Sequence, residues 1–366
     1  MKTPSKASII SFLAILFVCI GECPGYYSGK TQKEYYPDGK LQVISPFNAA
    51  GQLDGIVITY YPNGKVESEE TYRKNKRNGI RKDYYENGKV KLEGNYKNDK
   101  PDGTAKQYYE NGNLEVEANY KDGKPEGIVK EYFENGKLQI VSNYKAGRKE
   151  GWEKSYYENG QLYVDTNYKG DKVNGFSKQY YENGKLDLEG TFKEDKKQGL
   201  HKAYYESGEL EAEMNCKDDK LEGISKEYYK NGKLMRVTHY KDDLKEGIEK
   251  EYHENGKLHF EFNYKEDMTE GVGKIYFENG GLDAQCNYKA GKREGICKGY
   301  YEDGKLRGEI NFINDQMTMF KYYEGGKLKT EEFYKDNECV SAICYAKDGT
   351  KKECRCPEEQ PDKFSL

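Results

Sequence analysis

The feature that most constrains this chain is a repeat of 24 residues. A glycine returns at this interval along most of the sequence, and a second glycine keeps the same interval nine residues before it. The first series is Gly64, Gly88, Gly112, Gly136, Gly160, Gly184, Gly208, Gly232, Gly256, Gly280 and Gly304, and the second runs from Gly55 to Gly295. A fixed period of this length indicates a repeat architecture, in which each unit stacks on its neighbours.

The charge balance argues against several classes of protein. The 60 Lys and Arg residues nearly cancel the 64 Asp and Glu residues, and the formal net charge is −4. This balance gives no general attraction to nucleic acid or to an anionic membrane. High charge with low hydrophobicity favours disorder, but the 36 tyrosines and a two-residue alternation within each unit favour β-strands.

The amino terminus differs from the repeats. Two lysines, Lys2 and Lys6, precede the apolar run Ala7–Ile20, and small residues precede a cleavage point before Glu22. This pattern is typical of a secretory signal peptide over residues 1–21. The alternatives are an anchor that is not cleaved, for which the run is short, and a lipidated cysteine.

Each unit is predicted to form a β-hairpin. The alternating runs Ile80–Tyr85 and Val90–Tyr96 flank an Asn-Gly pair, which is a strong hairpin signal. Proline precedes this pair in Tyr61–Gly64, and proline suits the first central position of a type I turn. We therefore predict a three-residue loop, Glu86-Asn87-Gly88, with a left-handed Gly88.

This loop predicts a strand register and two faces. Tyr84 would face Val90, Lys82 would face Leu92 and Arg81 would face Glu93. The apolar face would carry Ile80, Tyr84, Val90, Leu92 and Tyr96. Trp152 takes the position of Ile80 in its unit, so it is predicted on the packed face.

One lysine of each unit also lies on that face in the predicted register. Together these lysines are predicted to form a solvated structural ladder, with ligand binding as the alternative: Lys82, Lys106, Lys130, Lys154, Lys178, Lys202, Lys226, Lys250, Lys274 and Lys298.

The predicted fold is all-β, an elongated single-layer antiparallel β-meander of about twelve 24-residue hairpin repeats. A longer polar loop, residues 97–103, would join one hairpin to the next. The predicted segments are a signal peptide (1–21), an irregular amino-terminal repeat (22–54), regular repeats (55–312), degenerate repeats (313–349) and a mobile cysteine-containing tail (350–366).

The repeats resemble the variant MORN repeat of bacterial proteins. One clear copy opens with Asn119–Gly127 and closes with Glu134–Leu138, and the resemblance covers about residues 30 to 335. Some family members are named as the antitoxin component of a toxin–antitoxin module, which implies a partner toxin. Related eukaryotic repeats are associated with membrane lipids and scaffolding. They have a glycine where this chain has Arg81, Val129 or Ser177, so membrane contact is not carried over.

The cysteines are concentrated near the carboxyl terminus. Cys339, Cys344, Cys354 and Cys356 are candidates for up to two disulfides in an oxidising compartment, with three connectivities open. A zinc site is the alternative. The predicted register places Cys286 and Cys297 on opposite faces, which disfavours a bridge between them. Cys216 replaces a repeat tyrosine and is expected to be a small core residue.

No catalytic constellation is recognised in the sequence. The histidines His201, His239, His253 and His259 are scattered, and the carboxylates follow the repeat. We predict no enzyme, no cofactor and no metal site. The second aromatic residue of each pair points away from the apolar row and is the candidate contact row, with a structural role as the alternative: Tyr85, Tyr109, Phe133, Tyr157, Tyr181, Tyr205, Tyr229, His253, Phe277 and Tyr301.

The predicted function is a non-enzymatic scaffold, secreted or in the cell envelope, that binds protein partners through an extended sheet surface. The alternatives are an antitoxin or immunity protein that neutralises a toxin, and a binder of surface glycans through its tyrosine rows. No nucleic-acid partner is expected.

Overall fold

The computed structural model describes residues 29–336 and 338–356. The predicted signal peptide and residues 357–366 of the predicted tail lie outside this range. The described residues form β-strands and turns without any helix. The chain divides into two compact units, Met1–Lys100 and Pro101–Leu366.

The first unit contains six strands and the second contains the others. The strands of the first unit are β1 Thr31–Tyr35, β2 Leu41–Pro46, β3 Gly55–Tyr60, β4 Val66–Arg73, β5 Lys76–Tyr84 and β6 Val90–Lys97. The remaining strands are β7 Lys100–Tyr108, β8 Leu114–Lys121, β9 Lys124–Tyr132, β10 Leu138–Lys145, β11 Arg148–Tyr156, β12 Leu162–Lys169, β13 Lys172–Tyr180, β14 Leu186–Lys193, β15 Lys196–Tyr204, β16 Leu210–Lys217, β17 Lys220–Leu221, β18 Gly223–Tyr228, β19 Leu234–Lys241, β20 Leu244–Lys245, β21 Gly247–Tyr252, β22 Leu258–Lys265, β23 Met268–Thr269, β24 Gly271–Tyr276, β25 Leu282–Lys289, β26 Lys292–Arg293, β27 Gly295–Tyr300, β28 Leu306–Ile313, β29 Gln316–Glu324, β30 Lys327–Lys335, β31 Glu338–Tyr345 and β32 Lys351–Cys354.

Within each unit the strands form an antiparallel meander. In the first unit, β1 to β6 pair in chain order. In the second unit, successive hairpins pair in the same way, for example β13 with β14 and β14 with β15. Because the paired strands are neighbours along the chain, each unit is a single antiparallel layer, which confirms the predicted all-β meander.

The hairpin loop has the predicted conformation. The Gly88 N–H donates to the Tyr85 carbonyl at 2.7 Å, and the Tyr85 N–H donates to the Lys89 carbonyl at 2.9 Å. Gly88 has a φ of 89°, in the left-handed region that glycine adopts without strain. These contacts enclose the three-residue loop Glu86-Asn87-Gly88, as predicted.

The predicted register is wrong beyond the first pair. Tyr84 faces Val90 as predicted, but Asp83 faces Leu92 and Lys82 faces Glu93. A bulge leaves Lys91 as one extra residue, and an extra residue shifts every later pair by one position. Ile80 therefore faces Asn95 and lies on the opposite face from Leu92 and Tyr96.

Arg81 does not face Glu93, and the structure corrects this prediction. The same bulge brings Arg81 opposite Gly94. The Arg81 guanidinium donates to both carboxylate oxygens of Asp83, at 2.9 and 2.8 Å, and pairs with Glu70 at 3.2 Å.

The connection between hairpins is also shorter than predicted. Strand β16 ends at Lys217 and β17 begins at Lys220, so only Asp218 and Asp219 form the turn. Both residues have positive φ angles, 52° and 75°, which is the backbone geometry of a tight two-residue hairpin turn. The second glycine of each repeat, such as Gly199 with φ of 67°, lies within the following strand, where the register shifts again.

The two faces of the second unit differ in burial. The buried face includes Ala118, Val129 and Tyr120, which are 1%, 8% and 8% exposed. The exposed face carries Trp152, which is 38% exposed, so the prediction that Trp152 is packed is wrong. This prediction is wrong for the same reason as the register. Trp152 takes the position of Ile80, and the bulge places that position on the opposite face from Leu92 and Tyr96.

The carboxyl-terminal repeats contain the largest buried cluster and three disulfides. The cluster includes Cys286, Cys297, Ile310 and Phe320. The Cys286–Cys297 bridge joins adjacent strands with Cα atoms 4.2 Å apart, which corrects the prediction against it. The bulge between Leu282 and Ala284 brings Cys286 to the same face as Cys297. Cys216, the free cysteine among residues 29–336 and 338–356, is buried as predicted.

The prediction of a mobile tail is wrong for its first residues. Residues 351–354 form β32, which pairs with β31. Two bridges, Cys339–Cys356 and Cys344–Cys354, close this last hairpin with Cα separations of 5.9 Å in each. The four cysteines predicted as disulfide candidates are therefore paired with each other.

Replacing both Cys286 and Cys297 with alanine is expected to destabilise the second unit by about 3 kcal/mol, because the bridge restricts a short loop of the unfolded chain. Urea unfolding followed by circular dichroism measures the change. Cys216→Ala is the matched control, since it removes a buried thiol without a bridge. An unchanged urea midpoint for the double variant would contradict this assignment.

Candidate functional site

The candidate contact row begins each hairpin loop and joins consecutive repeats. The Tyr157 hydroxyl donates to the Tyr180 carbonyl, and the Tyr181 hydroxyl donates to the Tyr204 carbonyl, both at 2.7 Å. The same bond is made by Tyr109, Tyr205, Tyr229 and Tyr301. We call these hydroxyl bonds the tyrosine staples. The Nε2 atom of His253 lies 3.1 Å from the Tyr276 carbonyl oxygen in the equivalent position.

The aromatic rings of this row are half-buried by neighbouring side chains. The rings of Tyr157 and Tyr163 have centroids 4.8 Å apart, and those of His253 and His259 are 4.4 Å apart. The Lys230 ammonium lies 5.7 Å from the Tyr205 ring centroid. Phe133 and Phe277 lack the hydroxyl of a staple. The staples give the row a structural role, and its role in partner binding stays a prediction.

In the second unit the lysines of the ladder lie on the exposed face, and several of them pair with carboxylates. Lys178 lies 3.1 Å from Glu189, and Lys202 lies 3.2 Å from Glu213. Glu189 also accepts a hydrogen bond from the Tyr204 hydroxyl at 2.8 Å, which lowers the pKa of its carboxyl group. The alternation of lysine and acid is interrupted where Lys130, Lys226 and Lys274 face Val141, Val237 and Gln285.

The tight turns between hairpins are also joined from one repeat to the next. The Asp195 carboxylate accepts the Val173 N–H at 2.7 Å, and the Asp219 carboxylate accepts the Lys197 N–H at 2.7 Å. The Asp-Asp and Glu-Asp pairs at these turns therefore have a structural role, which the sequence analysis did not assign.

Two polar clusters on the buried face were missed from the sequence. In one, Glu153 accepts a hydrogen bond from Ser142 at 2.6 Å and pairs with Lys149. In the other, the Glu249 carboxylate is 2.8 Å from the Lys245 ammonium and accepts from Thr238 at 3.1 Å. A Lys-x-x-x-Glu pattern at the same place in two repeats was the available signal.

Each of these clusters includes a tyrosine held in its protonated form. The Lys245 ammonium lies 4.8 Å from the Tyr264 ring centroid. Burial and the Glu249 carboxylate raise the pKa of Tyr264 to about 12. Burial also raises the pKa of Tyr144 to about 12, with further contributions from nearby carboxylates. Both phenols therefore stay protonated well above neutral pH.

These raised pKa values predict loss of stability at alkaline pH. The unfolded chain releases tyrosine protons near pH 10, whereas Tyr144 and Tyr264 retain theirs to about pH 12 in the fold. Stability is therefore full below pH 10 and falls as the pH rises towards 12. Urea midpoints measured across this range test the prediction. The double variant Tyr144→Phe/Tyr264→Phe should have a shallower decline, and an identical decline would contradict the assignment.

A row of exposed apolar side chains crosses the second unit on the same face as the ladder. We call it the stripe, and its members are 38% to 49% exposed: Ile128, Trp152, Phe176, Leu200, Ile224, Ile248, Val272 and Ile296. Each follows the second glycine of its repeat by one residue. Polar residues such as Asn167 and Asn215 separate its members across the strands, so the stripe is a regular row of exposed apolar side chains and a candidate interaction site. The sequence analysis missed the stripe because it placed these residues on the packed face.

His253 and His259 lie against each other, with ring centroids 4.4 Å apart, whereas His201 and His239 make separate local contacts. His201 is buried, which lowers its pKa, and its Nε2 atom is 3.0 Å from the Thr191 carbonyl oxygen. His259 Nδ1 lies 3.0 Å from Glu251. Within residues 29–336 and 338–356, no group of three or more His, Cys, Asp and Glu side chains is arranged to hold a metal ion. The described part of the chain also has no helix long and apolar enough to span a membrane.

Comparison with protein families gives matches along most of the chain. The family described as "MORN repeat variant" matches residues 29–49, 53–74, 77–98, 101–122, 125–146, 149–169, 174–194, 197–218, 221–242, 245–266, 269–290, 293–314 and 316–336. A comparison with curated proteins found no match.

Comparison with solved structures finds similarity to parts of much larger chains. "Crystal Structure of TcdB2-TccC3-TEV" has 12% identity and a TM-score of 0.16, with 87% of this chain and 21% of that chain covered. "Crystal Structure of TcdB2-TccC3" has 10% identity and a TM-score of 0.16, with 88% and 22% covered. This chain thus spans about a fifth of the length of these structures, and such TM-scores support no argument about function.

Proposed function

Because the chain belongs to the MORN repeat variant family, we propose that it is a non-enzymatic repeat scaffold that binds protein partners on the exposed face of its second unit. The observation that carries this proposal is the stripe, whose eight side chains lie one per repeat and are 38% to 49% exposed. Apolar side chains in a regular row on a sheet stabilise a complex because binding buries their surface away from water.

The stripe is a stronger candidate for the contact surface than the second-tyrosine row. The hydroxyls of Tyr157, Tyr181 and Tyr205 are already engaged in staples, and their rings are half-buried. The side chain of Phe176, by contrast, is 39% exposed and lies on the same face as the charged Lys178–Glu189 pair of the ladder.

The three disulfides support export as part of the proposal. Bridges at Cys286–Cys297, Cys339–Cys356 and Cys344–Cys354 persist in oxidising compartments and are rare in the cytosol. The signal-peptide pattern at residues 1–21 supports the same location.

Toxin neutralisation and glycan binding are narrower alternatives to this proposal. Rescue of growth when a neighbouring toxin gene is expressed, and retention on immobilised glycans, would test them.

The proposed function is tested by quantitative capture. Residues 22–366, without the predicted signal peptide, are immobilised and exposed to the secreted and envelope proteins of the source organism. The variant Phe176→Ser/Leu200→Ser/Ile224→Ser is compared with Val340→Ser, which removes an exposed apolar residue outside the stripe. We expect partners to bind the wild type and the control but not the triple variant. Capture that is the same for all three proteins would contradict the proposal.

A further inference from the structure

The stripe is only one residue wide along each strand. Two residues after Phe176 on the same face lies Lys178, which pairs with Glu189 at 3.1 Å. Two residues after Leu200 lies Lys202, which pairs with Glu213 at 3.2 Å. The ladder therefore borders the stripe along one side, and the apolar surface is long but narrow.

This narrow shape disfavours wide partners. A second β-sheet packs through the inward-facing side chains of several strands, which form a broad apolar layer, and a helix with its side chains is about 10–12 Å across. Either would also cover the ladder and take its charged pairs out of water, which costs free energy. A single extended chain is narrow enough to cover the stripe and leave the ladder hydrated.

The spacing of the stripe distinguishes between extended conformations. Each repeat contributes two strands, so successive stripe residues lie about 9.6 Å apart. A polyproline II helix has three residues per turn and rises about 3.1 Å per residue, so every third side chain recurs on one side after about 9.3 Å. The mismatch is about 2 Å over the seven intervals of the stripe.

Other regular conformations match less well. Seven residues of an α-helix, which bring side chains back to one side, span about 10.5 Å, and their mismatch reaches about 6 Å over the same seven intervals. In a β-strand, alternate side chains point to opposite faces, so every third residue does not return to one side.

Hydrogen-bonding groups lie between the apolar residues of the stripe. Asn167 faces Trp152 across the strand pair, and Asn215 faces Leu200. Asn215 donates one amide hydrogen to the Ile224 carbonyl at 3.2 Å, and a side-chain amide has a second hydrogen to donate. The backbone carbonyls of a polyproline II segment have no internal partners and can accept such hydrogen bonds.

We propose that the stripe binds a proline-rich segment of a partner protein in the polyproline II conformation, which crosses the strands and places one apolar side chain against each repeat. This inference rests on the proposed function and specifies its partner. Proline-rich segments bind well to exposed aromatic and apolar rows because they lose little conformational entropy on binding.

The experiment uses synthetic peptides and the single tryptophan of the chain. Trp152 is that tryptophan and belongs to the stripe, so its emission reports occupancy directly. The probe is a peptide of about six Leu-Pro-Pro triplets, which spans most of the stripe. One comparison peptide has the same composition with leucines out of the three-residue period. The other is an amphipathic helical peptide with a seven-residue period.

We expect the triplet peptide to shift Trp152 emission to the blue with saturation, and to bind at least about tenfold more tightly than the permuted peptide. The variant Phe176→Ser/Leu200→Ser should weaken binding at least about tenfold, which corresponds to one aromatic and one aliphatic contact. Val340→Ser, at an exposed position outside the stripe, should bind like the wild type. Circular dichroism establishes that each variant is folded.

Several results would overturn the inference. Tighter binding of the helical peptide would assign the stripe to a helix. Self-association in sedimentation experiments that Phe176→Ser/Leu200→Ser abolishes would assign it to a second copy of the chain. If no peptide binds but protein capture still depends on the stripe, the polyproline inference is wrong and the proposed scaffold function stands. If stripe-dependent capture is also absent, both are wrong.

Discussion

A variant with phenylalanine in place of four staple tyrosines is expected to lose about 4 kcal/mol of stability in the second unit. The four residues are Tyr157, Tyr181, Tyr205 and Tyr229. Each hydroxyl donates to a carbonyl of the next repeat at 2.6–2.7 Å. A typical intramolecular hydrogen bond contributes about 1 kcal/mol net, and bonds in separate repeats should add. Urea unfolding followed by circular dichroism measures the effect.

The control for this variant is Tyr163→Phe. The Tyr163 ring lies against Tyr157, but within the described residues its hydroxyl has no hydrogen-bond partner. We expect its substitution to change stability by less than about 0.5 kcal/mol. If the fourfold variant unfolds at the wild-type urea concentration and loses its captured partners, the second-tyrosine row is a contact surface and the staples are not structural.

Replacing Ala118 with phenylalanine is expected to destabilise the second unit by about 3 kcal/mol. Ala118 is 1% exposed and packs with Ala105, Tyr120 and Val129 on the buried face. A larger side chain here forces its neighbours out of their preferred conformations. The free energy of unfolding in urea is the quantity to measure.

The matched control for Ala118→Phe is Ile128→Phe on the stripe. Ile128 is 45% exposed, so its replacement is expected to change stability by less than about 0.5 kcal/mol. Equal effects of the two substitutions would show that both faces are packed alike. A larger effect of Ile128→Phe would reverse the assignment of the buried and exposed faces.

The hairpins of this fold were predictable from short-range chemistry. The loop Glu86-Asn87-Gly88 follows from a proline at the equivalent position of an earlier unit and from a glycine that accepts a left-handed backbone. The 24-residue period predicts repeated hairpins and an antiparallel meander. These features depend on residues close together in the sequence, so a single chain is enough to identify them.

The faces of the sheet were not predictable in the same way. The alternation of side chains in Val90–Tyr96 predicts a regular strand, and no residue type in it marks Lys91 as the extra residue of a bulge. One extra residue exchanges the faces of everything beyond it. Because the bulge was not predicted, Trp152 was placed on the packed face and Cys286 was placed on the opposite face from Cys297.

The structural roles of the repeated polar residues depend on contacts between repeats. The Tyr157 hydroxyl reaches a carbonyl 23 residues away, and the Asp195 carboxylate reaches an N–H 22 residues away. A sequence shows that such residues recur but not what they contact. The stripe was missed for a different reason: its apolar residues were predicted to lie on the buried face.

The most direct test of the face assignment, on which the stripe and its proposed partner depend, is the fluorescence of Trp152. It is the single tryptophan of the chain and is 38% exposed. In the native protein its emission should be readily quenched by acrylamide, and unfolding should shift it only slightly to the red. A strongly blue-shifted native emission that acrylamide does not reach would contradict the account, because it would place Trp152 on the buried face.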